Sequence, residues 1–271
     1  MNTLISRLAQ KAPAYRQCLL CNLGQHSFIV KLGTTVVYLD PFVTHLPGRF
    51  LPPPLEAKDI TNADIVTGSH DHGDHIDRPA WPAIAATSPQ AMFIVPEAVR
   101  PTVKEVPGKR LKGLNAGESF AFKDVTITAV PAAHELLDKD EKTGLYPYLG
   151  YIVQGNGVTI YHAGDTCLYE GMAALLRSWK IDIALLPING RDAKRLKNNC
   201  IGNMTFQEAV DLAGAIRPRI AIPAHFDMFK GNTEDPKKFT DYLRIKYPDI
   251  KYARPSIGKI TRFDFFCDSV K

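Results

Sequence analysis

Residues 69–75 read Ser69-His70-Asp71-His72-Gly73-Asp74-His75, directly after the apolar run 65–67. In extended backbone, alternate residues share a face, so His70, His72 and Asp74 can converge while a turn at Gly73 brings His75 round. A single histidine of this kind would be a solvated loop residue, but clustered His and Asp ligands are a metal-site signature. Neutral imidazole with carboxylate suits zinc, manganese or iron, and a set without thiolates does not favour copper(I) or iron–sulfur clusters. We therefore expect this segment to bind divalent cations.

Length and composition are typical of an ordinary globular protein. The 271 residues are 45% hydrophobic and 23% charged, which is enough for a substantial core. We expect a single domain over residues 1–271, since α/β sandwiches often reach this size as one unit. Lys plus Arg number 33 and Asp plus Glu 28, a formal charge of +5 without a long basic block. That balance is too mild to indicate nucleic acid as a partner.

The chain carries no recognisable targeting or membrane segment. We see no signal peptide at the start and no window near the roughly 20 apolar residues of a membrane span. The five cysteines are odd in number and irregularly spaced, which favours reduced thiols and a cytoplasmic location. Cys18 and Cys21 form a C-x-x-C that could indicate redox chemistry or half a zinc site. Because no second pair completes it, we interpret these cysteines as structural.

Short apolar runs rich in β-branched residues alternate with helix-like segments, among them 76–86, 169–178, 205–216 and 236–246. Thr205 and Glu208 form a capping box at the start of the third, and Gly155-Asn156-Gly157 predicts a hairpin turn. Strands, a polar loop and a helix occur in each half of the chain. Periodicity alone supports only the class α/β or α+β, with two halves packed as a layered sandwich.

His70-x-His72-x-Asp74-His75 resembles the H-x-H-x-D-H signature of the metallo-β-lactamase superfamily. Three further segments resemble the family's later motifs in the same order, 129–134 ending in His134, 161–166 containing Asp165, and 220–225 ending in His225. Segments 23–28 and 37–41 resemble its opening hairpins. The resemblance implies a four-layer αββα sandwich.

By the same resemblance, one metal would be held by three histidines and a second by a mixed set, with a bridging carboxylate between them. The first set is His70, His72 and His134; the second is Asp74, His75 and His225; the bridge is Asp165. The implied cofactors are two divalent ions, manganese or zinc. Family members with a di-iron redox centre usually carry Glu where this chain has His72, so hydrolysis by a metal-bound hydroxide is favoured, with Asp74 and Asp165 as catalytic residues.

Two further residues are candidates for supporting the ligands. Asp40, in an Asp-Pro corner, could orient a ligand imidazole, or it could simply form a turn. His162 could orient Asp165 or a substrate, although a satisfied buried histidine is the alternative interpretation.

Segments 162–166, 186–192 and 200–205 resemble the L-ascorbate-6-phosphate lactonase group, which implies opening of a phosphorylated sugar-acid lactone. A basic cluster of Arg191, Lys194 and Arg195 could bind the phosphate, or it could be a solvated loop. The alternatives are a phosphodiesterase of the same fold and a non-catalytic metal-binding protein. We expect a small-molecule substrate, no membrane partner, and a homo-oligomer because the resembled group often forms one.

Overall fold

The computed structural model describes residues 3–10 and 12–266, arranged as two seven-stranded sheets with helices outside them. The strands of the first sheet are β1 (Gln17–Gly24), β2 (Ser27–Leu32), β3 (Thr35–Leu39), β4 (Ile65–Thr67), β5 (Met92–Pro96), β6 (Leu111–Leu114) and β14 (Ile260–Asp264). The second sheet contains β7 (Ser119–Phe122), β8 (Val125–Pro131), β9 (Leu149–Gly155), β10 (Val158–His162), β11 (Ile183–Pro187), β12 (Ile220–Ala224) and β13 (Lys251–Tyr252). The helices are α1 (Thr3–Gln10), α2 (Trp81–Thr87), α3 (Met172–Leu176), α4 (Ala193–Lys197), α5 (Phe206–Ile216) and α6 (Pro236–Lys246).

Strand order explains why the polar loops meet. In the first sheet the order is β14-β1-β2-β3-β4-β5-β6, and β3 to β6 run parallel. In the second the order is β13-β12-β11-β10-β9-β8-β7, with β10 to β13 parallel. Since β9 is antiparallel to both β8 and β10, β8 points the same way as β10 and β12. The C-terminal ends of β8, β10 and β12 therefore lie at one edge.

Both faces of each sheet are buried, which is why the central strands are apolar throughout. In β2, Phe28 and Val30 face the core between the sheets, while Ile29 faces the core shared with α1 and α2. In β9, Tyr151 lies in the core between the sheets, and Ile152 packs on the side of α3, α5 and α6. Three hydrophobic cores therefore lie between four layers, two of helices outside and two sheets inside. The four-layer αββα sandwich expected from the sequence is confirmed.

Several local predictions are also confirmed. The turn between β9 and β10 has Asn156 and Gly157 at positive φ, 51° and 72°, as a tight hairpin requires. Thr205 caps α5 and forms the predicted capping box with Glu208. The helix predicted over 76–86 is shorter, because Asp77 binds the 43–44 backbone instead of continuing a helix. The helix predicted over 169–178 covers only α3. Within the described chain, every helix is too short or too polar to cross a bilayer.

Candidate metal centre

The loop after β4 folds into successive tight turns. The amide of His72 donates to the carbonyl of His70 at 3.0 Å, and the amide of His75 donates to the carbonyl of His72 at 3.0 Å. These turns bring His70 Nε2 within 3.0 Å of His72 Nδ1. His70 and His75 are buried, His72 is exposed, and Asp74 is half-buried. The loop thus points a row of ligand atoms inward from solvent to core.

The second sheet delivers the remaining three residues from its strand ends. His134 follows β8 in a segment held by Thr166, whose hydroxyl accepts the Ala133 amide at 3.0 Å. Asp165 follows β10 after Gly164, which has φ +61° and where an added Cβ would lie 2.4 Å from the Leu149 carbonyl oxygen. His225 follows β12. Sheet packing therefore brings these residues to the loop of the first sheet.

The seven predicted ligands converge into overlapping groups. In each of three groups the ligand atoms lie within 4.8 Å of one another, namely His70/His72/His134, His70/His75/Asp165 and Asp74/His75/His225. The first and third are the two sets implied by the family resemblance. Asp165 lies between them, with Oδ1 3.2 Å from His75 Nε2 and 3.1 Å from His225 Nε2, and Oδ2 3.6 Å from His134 Nε2. Its two oxygens face opposite sets, as a bridging carboxylate would.

Two observations indicate that the donor atoms are suited to binding cations. His75 Nε2 and Asp165 Oδ1 are buried and make no hydrogen bond among the described residues, although unpaired buried polar atoms are costly. Cations at these positions would satisfy both atoms. Imidazole nitrogens with carboxylate oxygens are also the donor set of zinc and manganese. His70, His72 and His134 would hold one ion; Asp74, His75 and His225 would hold the other.

The pKa shifts of the ligand side chains show that carboxylate charge dominates the centre. Burial opposes protonation of His225, but the negative charges of the nearby Asp165 and Asp74 raise the pKa of His225 to about 9. The pKa of His75 is likewise raised, because the carboxylates Asp165 and Asp74 outweigh its burial. Burial disfavours ionised Asp165, yet the neighbouring imidazoles lower its pKa well below the usual range. Without cations, protons on the two histidines balance these carboxylates. Cations would displace them.

Asp40 is placed to orient His75. Its buried carboxylate accepts the Nδ1–H of His75 at 2.7 Å, the Ser69 hydroxyl at 2.5 Å and the Thr67 hydroxyl at 2.9 Å. Burial opposes its ionisation, but the nearby imidazoles of His162 and His75 lower the pKa of Asp40 below its ordinary value. A proton fixed on Nδ1 leaves Nε2 of His75 free as a ligand. The structure thus gives Asp40 the orienting contact considered from the sequence.

His162 contacts His26. Its Nε2 donates to the carbonyl of His26 at 2.8 Å, and the two rings lie 4.1 Å apart. His26 in turn places Nδ1 3.9 Å from Asp165 Oδ1. Burial lowers the pKa of His26 to about 3, so that ring is neutral. His162 therefore holds His26, a buried histidine near Asp165 for which the sequence indicated no role.

Gln25 is a second residue that sequence reasoning missed. Its Nε2 donates to Asp74 Oδ2 at 2.7 Å and lies 3.1 Å from His225 Nε2. The backbone carbonyl of Gln25 accepts a hydrogen bond from the backbone amide of His225 at 2.7 Å. Gln25, Asp40 and His225 all have left-handed backbone, with φ of 56°, 44° and 56°. The position of Gln25 in the first hairpin turn was the available signal. The half-buried ring of Tyr148 lies tilted beside those of His70 and His134, at centroid separations of 5.6 and 5.1 Å.

The predicted basic cluster adjoins the centre, but its arginines are already paired. Arg191 forms a two-pronged ion pair with Glu208 at 2.5 and 2.6 Å. Arg195 binds Asp192 at 2.8 Å. Lys194 has no ion-pair partner among the described residues. Less positive charge is free for a phosphate than the sequence alone indicates.

Cys18 and Cys21 lie away from the ligands, on β1. Both are free and buried, and burial raises the pKa of each thiol to about 12. Cys267 lies outside the described residues. Protonated buried thiols act as small apolar side chains, as a structural role requires.

Comparison with known proteins places this arrangement in a family. Residues 35–226 match the family model described as a beta-lactamase superfamily domain. A UPF0173 metal-dependent hydrolase from Pyrococcus abyssi is 30% identical over 219 residues, covering 80% of this chain and 88% of the relative. Another from Thermus thermophilus is 28% identical over 242 residues, covering 89% and 97%.

A solved structure shares the fold. Igni18, described as a novel metallo hydrolase from Ignicoccus hospitalis, superposes with a TM-score of 0.74 at 24% identity, over 92% of this chain and 99% of that one. The family model, the relatives and the fold agree with one another. The chain belongs to the metallo-β-lactamase superfamily and is a metal-dependent hydrolase related to the UPF0173 proteins.

Proposed function

We propose that the protein uses two divalent cations, manganese or zinc, to hydrolyse a carboxylic ester, with a lactone as the best-supported substrate. The observation that carries the proposal is the pair of three-residue groups with Asp165 between them. The names of the relatives specify no substrate. The lactone rests on the resemblance of the 162–166, 186–192 and 200–205 segments to lactonases.

When bound, two cations would supply Lewis acidity, which lowers the pKa of water and polarises the carbonyl to be attacked. The chain supplies the geometry. Asp74 is ionised, because the charges of His75 and His225 outweigh its burial and lower its pKa. It can therefore accept a proton from the attacking water. Gln25 holds Asp74 by the 2.7 Å hydrogen bond, so the carboxylate does not rotate away.

The bond changes are those of ester hydrolysis. The water oxygen bonds to the acyl carbon, the bond from that carbon to the ring oxygen breaks, and the leaving oxygen takes the proton that Asp74 held. Asp165, between the two ligand sets, fixes their separation, so it is catalytic through position and charge. Neither a serine nor a cysteine nucleophile is needed.

The type of substrate, the location and the oligomeric state belong to the same proposal. A small-molecule substrate, with neither nucleic acid nor membrane as a partner, agrees with the modest charge of +5. Free Cys18, Cys21, Cys167 and Cys200 support a reducing, cytoplasmic location. We include a homo-oligomer, as in the resembled lactonases.

The test joins metal analysis to a substrate screen. Purified protein is analysed by inductively coupled plasma mass spectrometry, then assayed with lactones, phosphorylated lactones and phosphodiesters under added manganese or zinc. Asp165→Ala should bind less metal and lose hydrolysis by at least about 1,000-fold, because it removes a shared ligand. Asp241→Ala, an exposed carboxylate of α6 paired with Lys237, is the matched control and should behave as wild type.

The outcomes separate the alternatives. About two metals per chain with lactone turnover supports the proposal. Turnover of phosphodiesters alone moves the assignment to a phosphodiesterase. Bound metal without turnover on any substrate indicates a metal-binding protein. Near-normal turnover by Asp165→Ala would refute the two-metal assignment.

A further inference from the structure

Four exposed aliphatic side chains occur in loops that follow metal ligands or line a nearby cleft. Leu136, two residues after His134, is 68% exposed, and Leu168, three residues after Asp165, is 39% exposed. Leu196 on α4 and Ile201 in the following loop are 57% and 40% exposed. We call these four residues the apolar rim. Single exposed leucines are ordinary, but a group beside a reactive centre indicates a binding surface.

A cleft near the metal ligands contains Leu196 and Ile201 of this rim. It has a volume of about 180 Å³, and its lining includes Leu196, Ile201 and Glu135, the residue after His134. Gly202, also in the lining, has its carbonyl 3.8 Å from the Cys167 thiol, two residues beyond Asp165. Because Glu135 directly follows His134, a substituent of a substrate bound at the metals would be close to this cleft.

The charges of the cleft disfavour an anionic substituent. Arg191, its one cation among the described lining residues, is occupied by the two oxygens of Glu208. Glu135 adds a carboxylate to the same lining, and the carboxylate of Asp192 is paired with Arg195 at 2.8 Å. A phosphate entering here would face Glu135 and compete with Glu208 for the Arg191 guanidinium. An uncharged alkyl group would meet Leu196 and Ile201 without that cost.

We infer that the substrate carries an uncharged, apolar substituent that binds in the cleft of Leu196 and Ile201, so the enzyme acts on alkyl-substituted lactones rather than on sugar phosphates. The inference rests on the proposed hydrolysis and narrows its substrate class. The small volume limits the substituent to a short alkyl chain. Leu136 and Leu168 would shield it from water.

The test uses γ-lactones with alkyl groups from methyl to hexyl, and the hexyl lactone carrying a terminal phosphate. A buried methylene contributes about 0.8 kcal/mol, so kcat/KM should rise about fourfold per methylene until the cleft is full. The phosphorylated lactone should be the poorer substrate. Binding is measured separately from turnover with alkyl cyclopentanones, which keep the ring but cannot be hydrolysed, by displacement of the uncharged dye Nile red.

Ile201→Asp and Leu196→Asp are the test variants, and Ile245→Asp, 78% exposed on α6, is the matched control. Either test variant should lower the ratio of kcat/KM for the hexyl lactone to kcat/KM for the methyl lactone about tenfold or more. The control should leave this ratio unchanged. Two variants are used because the loop at 201 packs closely at Gly202, where an added Cβ would lie 2.0 Å from the Gly190 carbonyl oxygen.

Different results would contradict the apolar cleft and the proposed lactone hydrolysis. Turnover that is independent of chain length, or faster with the phosphorylated lactone, overturns the inference and leaves lactone hydrolysis standing. Absence of all lactone turnover refutes the proposed function, while chain-length-dependent binding of the cyclopentanones would still support the apolar cleft. A rim that serves only to join subunits would be revealed by sedimentation, if Ile201→Asp dissociates an oligomer without altering substrate preference. That result would also overturn the inference.

Discussion

Replacing Asp40 by asparagine should weaken metal binding about 10- to 100-fold while leaving the protein folded. Asparagine has the size of aspartate and tolerates left-handed backbone, so the φ of 44° at this position is retained. The contact to Thr67 at 2.9 Å can persist through the remaining carbonyl oxygen. What changes is the pair of hydrogen bonds at Oδ2, to His75 at 2.7 Å and Ser69 at 2.5 Å.

The magnitude follows from the loss of one charge-assisted hydrogen bond. Such bonds contribute about 1.5–3 kcal/mol, or roughly 10- to 150-fold in an equilibrium constant. The amide NH2 of the new residue would also face Nδ1 of His75 with a donor instead of an acceptor. That arrangement favours the tautomer with the proton on Nε2, the atom that lies 3.2 Å from Asp165. The ligand nitrogen would then be blocked by its own proton.

The assay is competition for zinc against a chromogenic chelator, together with urea unfolding of the metal-free protein. Asp77→Asn is the matched control, because Asp77 is equally buried but holds the backbone of Val43 and Thr44 instead of a ligand histidine. The control should lower the free energy of unfolding and leave zinc affinity near wild type. Unchanged affinity in Asp40→Asn, or an equal loss in both variants, would show that the His75 contact does not orient the ligand.

Two further predictions concern the same centre. Gly164→Ala should reduce kcat/KM about 100-fold, because its Cβ would lie 2.4 Å from the Leu149 carbonyl oxygen and force Asp165 to move. Steady-state kinetics and bound-metal analysis measure this. Zinc binding at pH 7 should release about two protons, because the pKa of His225 is raised to about 9 and that of His75 is also raised, so both lose a proton on ligation. Affinity should therefore rise with pH up to about 9 and fall in acid, as followed by calorimetry in buffers of different ionisation enthalpy.

Each of these predictions has a control. Gly171 also has left-handed backbone, φ +83°, but nothing lies within 4 Å of the position of an added Cβ. Gly171→Ala should therefore keep normal hydrolysis, and equal losses in both glycine variants would show that crowding at Asp165 is not the cause. For the proton release, a value near zero at pH 7 would show that the histidines are neutral before metal arrives.

The metal-binding loop was predictable because neighbouring residues in the sequence determine its ligand spacing. Seven consecutive residues contain the spacing that turns His70, His72 and Asp74 toward one another. The apolar run 65–67 likewise predicted β4 with the bounds that the structure shows. Strands at sheet edges, such as β7 and β13, are short and largely exposed, so they contain no buried apolar run that would predict them.

What could not be predicted depends on contacts between distant parts of the chain. Glu208 was identified as a capping residue, but its pairing with Arg191 arises only when α5 packs beside the 190–203 loop. Gln25 reaches Asp74 across 49 positions of sequence. The start of α2 at Trp81 depends on Asp77 meeting a loop more than 30 residues earlier. Folding of both sheets must be known before such contacts can be assigned.

The left-handed backbone at Gln25, Asp40 and His225 has a consequence for the stability of the protein. Each such residue costs roughly 1 kcal/mol relative to glycine at the same angles. Glycine at any of the three positions would relieve the backbone and at the same time remove a side chain that contacts or forms the centre. At these positions the stability of the fold and the construction of the centre therefore oppose each other.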